Sequence, residues 1–143
     1  MSISLPDSLA TPQARNGIAW SAMRLTLAGL IAAHGWARLI AGGVVPFGDW
    51  LGQQGLPFGF ALAAGITAFE IVGTVLLALR RFVAPLTLVY AAIYAVGTVM
   101  VHAKAGWFVV GMGRNGSEYS VLLIVCLLCV GLQHLQASRS ART

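Results

Sequence analysis

The stretch Val101–Tyr119, VHAKAGWFVVGMGRNGSEY, closes one apolar run with His102, turns through glycines carrying two aromatics and two cations, and opens another run with Glu118. A short polar turn between two runs of membrane-crossing length is the signature of two adjacent transmembrane helices. Outward from it, the same pattern repeats. Phe82–Val101 and Leu56–Leu79 lie upstream, joined by Arg80-Arg81, and Glu118–Leu135 lies downstream. Gly17–Ile40 comes first, about 36 Å long at helical rise and able to cross with some tilt.

These four runs occupy most of the 143 residues, of which 58% are hydrophobic and only 9% charged. Mean hydropathy is +0.83, whereas soluble domains carry roughly a quarter charged residues. No room is left for a separate soluble domain. The expected fold class is all-α, an integral membrane four-helix bundle over 17–136, with residues 1–16 and 137–143 as tails. The segment AGGVVPFGDWLGQQG reads as a turn-rich loop with an interfacial tryptophan. Pro57 and Pro85 fall where a first helical turn tolerates them. The N-terminal tail lacks the apolar core of a signal peptide.

An even number of spans puts both tails and the Arg80-Arg81 turn on one side, with Arg15, Arg80, Arg81, Arg139 and Arg142. The other side holds Lys104 and Arg114, with Arg38 at a helix end. The positive-inside rule then predicts cytoplasmic termini and an external Val101–Tyr119 loop. The formal charge of +5 is scattered rather than gathered in a basic run, so it marks topology and not nucleic acid.

Ionisable residues inside a membrane cost roughly 2.5–3.5 kcal/mol each on insertion scales and so turn inward to find partners. Arg24, Leu27, Ile31, His34 and Arg38 step by three and four along one face; Thr67, Glu70 and Thr74 share a second, and Thr87, Tyr94, Thr98 and His102 a third. Depth divides the polar residues into two layers. Arg24 and Glu70 fall at similar depths on antiparallel neighbours and are expected to form a structural ion pair. The outer layer gathers His34, Arg38, His102 and Glu118, with Glu118 at a helix N-terminus, where negative charge is favoured. Either these residues are interfacial caps, or they form an acid/base pocket for a quinone head group or small polar molecule. No metal motif such as HExxH is present, and no metal is expected. Cys126 and Cys129 match CxxC but lie about 12 Å into an apolar span, where a thiol packs and a thiolate is costly. Gly29, Gly65 and Gly73 are expected at close helix contacts.

The ordered set of Arg24, His34-Gly35, Arg38, Gly55-Leu56-Pro57-Phe58, Glu70 with Gly73, Arg81, His102, Gly106-Trp107-Phe108, Gly116 and Glu118-Tyr119 resembles the DoxX family of small four-helix inner-membrane proteins. The likeness spans Arg24 to about Leu135, with Arg38 where the family commonly has lysine and Gly73-Thr74 where it often has paired glycines. It implies a multi-pass protein of the bacterial inner membrane. It also implies a link to membrane oxidoreduction, since members are associated with a thiosulfate:quinone oxidoreductase subunit and with complexes handling oxidative or thiol stress. On this reading His102 and Glu118 are the candidate catalytic residues, and His34, Arg38 and Trp107 bind a quinone or small sulfur-containing substrate. The expected partners are membrane lipid, redox proteins and further copies of the chain. A non-catalytic scaffold for partner oxidoreductases and a small-solute permease are the rival functions.

Overall fold

The computed structural model describes residues 11–110 and 115–140, with side chains through Leu135. Residues 1–10 of the expected tail lie outside that description, as do Arg114, Arg142 and the side chain of Arg139, which the topology argument uses. Every regular element among the described residues is helical: α1 (Pro12–Ile40), α2 (Val44–Gln53), α3 (Gly59–Ala78), α4 (Val83–Gly97), a π-helical turn (Thr98–His102), α5 (Ala103–Ala105) and α6 (Glu118–Ser140).

Three helical stretches are long and apolar enough to cross a membrane: Gly59–Ala78, Val83–Ala105 and Glu118–Leu135. Arg24, His34 and Arg38 dilute the apolar character of α1, which meets the same test only together with α2, bent from it by 98°.

Several boundaries differ from the sequence expectation, each for a local reason. α1 starts at Pro12, inside the expected tail, because Thr11 accepts a hydrogen bond from the Ala14 amide and proline suits the first helical position. α3 starts at Gly59 rather than Leu56, after Phe58 in the left-handed conformation. α6 runs past residue 137 to Ser140. The largest difference is α2, which replaces the expected loop. Its glycines and Pro46 argue for turns, but Phe47, Trp50 and Leu51 recur at helical spacing, and Leu51 is buried. Gly48 also lets the α2 backbone settle on α3, where an added Cβ would come within 2.7 Å of the Phe60 Cα.

Leu27, Ile31, Leu77, Leu86, Tyr90, Leu127 and Val130 form the core, drawn from α1, α3, α4 and α6. Close approaches set the register. A Cβ on Gly35 would lie 2.9 Å from that of Glu70, so α1 and α3 touch there almost backbone to backbone. Gly73 leaves the space in which the Tyr90 hydroxyl reaches the Phe69 carbonyl at 2.8 Å. Gly29 and Gly65, expected at similar contacts, face open space. Thr87 packs against Gly131 of α6, so it does not share Tyr94's neighbours on α3.

Candidate functional site

Register decides which arginine meets Glu70. From the Gly35–Glu70 contact, Arg24 is eleven residues back along α1, about 16 Å at helical rise, beyond the reach of its side chain. The expected Arg24–Glu70 pair is therefore not formed. Arg24 lies level with the end of α3 and donates to the carbonyls of Leu77, at 2.7 Å, and Ala78. Those oxygens are among the last four of the helix, beyond its i+4 ladder; Leu77 O also accepts the Arg80 amide at 3.1 Å, and the buried cation adds donors where the dipole favours positive charge.

Arg38, one turn past Gly35, takes the place assigned to Arg24. Its Nη1 donates to Glu70 Oε2 at 2.7 Å and to Thr67 Oγ1 at 3.1 Å, while the guanidinium carbon lies 4.6 Å from the centre of the Phe47 ring. The other carboxylate oxygen, Oε1, accepts from the Tyr94 hydroxyl at 3.4 Å. Glu70 is only 2% exposed, and both its oxygens are engaged. Truncating one partner of such a pair typically costs about 3–5 kcal/mol, because the other charge is left buried.

Above this pair lies a cavity of about 530 Å³. α1 contributes His34 and Arg38, α2 contributes Phe47 and Trp50, α3 contributes Glu70, and the far end of α4 with its π turn contributes Tyr94 and His102. The π turn bears on where His102 points. The Ala103 amide bonds to the Thr98 carbonyl five residues back, and the extra residue turns the following side chains back relative to an α-helix. His34 stands edge-on to Tyr94, with ring centres 6.4 Å apart.

His102 Nδ1 lies 2.9 Å from the Asn115 carbonyl oxygen. A carbonyl only accepts, so Nδ1 carries the proton, and in the neutral ring Nε2 keeps a lone pair. The same bond ties the cavity wall to the loop before α6. That loop is pinned again where Ser117 N and Glu118 N donate to the carbonyls of Gly106 and Trp107, and where Glu118 Oε1 accepts from Val109 N, each at 3.0 Å.

Of the four residues expected in the outer pocket, His34, Arg38 and His102 line one cavity. Glu118 does not: its carboxylate is held by the folded loop at the N-terminus of α6. Trp107 also lies outside the lining and is 54% exposed, its carbonyl serving as a helix acceptor. Sequence reasoning assigned Glu70 to the lower layer and gave Tyr94, Phe47 and Trp50 no site role. The signal for the last two was the spacing Phe47-x-x-Trp50-Leu51 in a segment read as turns. Among the described residues, no three His, Cys, Asp or Glu side chains converge to hold a metal ion.

Comparison of the chain with protein-family models, curated proteins and solved structures gives no match.

Proposed function

We propose that the chain is a DoxX-like four-helix protein of the bacterial inner membrane, with both termini cytoplasmic, and that it is a redox-associated subunit whose outer-leaflet cavity binds a quinone head group. The carrying observation is chemical asymmetry: Arg38, Glu70, Tyr94, His34 and His102 supply a few polar groups in a cavity otherwise lined by Phe47, Trp50, aliphatic side chains and Gly97. A volume near 530 Å³ with sparse polar anchors is the usual form of a site for an amphipathic organic molecule.

The quinone is favoured over a small sulfur anion because the Arg38 charge is already met by Glu70. The Tyr94 hydroxyl, held only at 3.4 Å, is available to donate to a quinone carbonyl, and His102 Nε2 to accept from a quinol hydroxyl. The permease reading has less support. Between the Arg24 and Glu70 layers, Ile31, Tyr90 and Leu127 are fully buried and close the interior. The scaffold reading is favoured by one feature, the pinned loop that presents Trp107, Phe108 and Val110 exposed. A partner oxidoreductase docking there would be lost from co-purification when Trp107 and Phe108 are changed to serine, with the cavity untouched.

The direct test is titration of the nanodisc-reconstituted protein with decylubiquinone, followed by tryptophan quenching. Saturable quenching is expected, weakened about tenfold by Tyr94→Phe or His102→Ala, the worth of one buried hydrogen bond. Absence of saturable binding, or binding indifferent to both variants, rejects the reading.

A further inference from the structure

The cavity also has a way in. At the Arg80–Phe82 end, α3 and α4 are held together by their short connection, and one level further Tyr90 bridges to Phe69 and fills the space left by Gly73. Tyr94 makes the next crossing, to Glu70. Beyond it, Leu62 and Ile66 of α3, Val96 of α4 and Met100 of the π turn line the cavity. Two of these wall residues also belong to the outer surface of the molecule: Leu62 is 41% exposed and Val96 is 56% exposed. Among the described residues, none of α6 lines the cavity. Glu70 is buried and Tyr94 half-buried in this space, His34 reaches the molecular surface on α1, and Leu62 and Val96 stand at the edge between α3 and α4.

We infer that the cavity opens sideways into the lipid between α3 and α4, and that its ligand is a membrane-dissolved quinone whose hydrocarbon tail lies in the groove between Leu62 and Ile66 on one side and Val96 and Met100 on the other. This deepens the quinone reading and rests on it. A head group bound by Tyr94 and His102 would leave its tail no polar surroundings to cross. The tail passes from the site to the bilayer along apolar walls, and one cavity accommodates both ends of an amphiphile.

The test compares two probes on the full chain in nanodiscs: decylubiquinone, which carries a ten-carbon tail, and the tail-less 2,3-dimethoxy-5-methylbenzoquinone. Val96→Trp and, separately, Leu62→Trp place a large side chain in the groove from positions on the surface of the bundle. Each is expected to weaken the tailed probe about tenfold or more, the cost of overfilling a packed space, and to leave the tail-less probe unchanged. Tyr94→Phe should weaken both probes alike. If both tryptophan variants bind the tailed probe as the parent does, or lose the two probes equally, the sideways entrance is wrong while the head-group site stands. If neither probe binds the parent protein, both readings fall together. A second copy of the chain filling the groove would show as a change of oligomeric state in the tryptophan variants with tailed binding intact, which also overturns the inference.

Discussion

Glu118 shows how one residue type can be legible and its job not. A carboxylate at a helix start beside a histidine looks like half of an acid/base pair, yet its oxygen accepts the Val109 amide and its own amide donates to Trp107. That makes it a clasp for the loop. Glu118→Gln keeps an accepting oxygen and should retain loop order, losing only the charge term of about 0.3–1 kcal/mol at a helix N-terminus. Glu118→Ala should cost about 1–2 kcal/mol and open the chain at Gly106–Val110 to limited proteolysis. Loss of quinone binding in the glutamine variant, with loop protection unchanged, would return a reactive role to this carboxylate. Arg38 teaches the converse. The sequence presents it as a ligand-binding cation, but its charge is already matched by Glu70, and what it offers the cavity is a fixed, neutralised wall.

Helix ends decide most of the element-scale geometry. α1 and α2 both finish on a glycine with positive φ, Gly42 and Gly55, and the next amide reaches back to satisfy a terminal carbonyl. α3 ends the same way: Arg81 N bonds to the Leu76 carbonyl at 2.8 Å, but the left-handed position is filled by Arg80 at φ 59°. A side chain there costs about 1–2 kcal/mol relative to glycine. Arg80→Gly should therefore raise the unfolding free energy by about 1 kcal/mol in detergent, read as an upward shift of the thermal midpoint. A lower midpoint would mean that the arginine contributes more through its charge at the membrane surface than its backbone strain costs. The π turn at Thr98–His102 and the Gly48 contact of α2 show the same rule, that small local departures from ideal helix aim the cavity residues.

At the scale of the whole molecule, the proposed membrane arrangement makes an uneven prediction along the chain. Green fluorescent protein fused after Thr143 should fluoresce, and alkaline phosphatase inserted after Val110 should be active, because the first site would be cytoplasmic and the second external. The reverse pattern would invert the topology, and two sites reporting the same side would mean that α6 does not cross the membrane. The count turns on α1, where Arg24, His34 and Arg38 weaken the apolar character while also building the site: Arg24 caps α3, Arg38 pairs with Glu70, and His34 lines the cavity.

Much of this was readable in one dimension. Apolar runs of spanning length fixed the helical class, because a backbone in hydrocarbon must bond within itself, and the three- and four-residue steps placed Arg24, Leu27 and Ile31 inward, where all three are buried. The gathering of His34, Arg38 and His102 at one end was legible for the same reason. The partner of Glu70 was not. Depth counted from estimated helix ends carried an error of a few residues, and each residue moves a side chain 1.5 Å along the axis. The Gly35–Glu70 contact removed that error and exchanged one arginine for another. Composition hid α2 among glycines, and the pinning of Glu118 depended on a loop fold that no periodicity encodes. Periodicity therefore placed Arg24, Leu27 and Ile31 inward but not His34, which is exposed on the same stripe, whereas tertiary packing decided who meets whom, since register is set by the closest backbone approach.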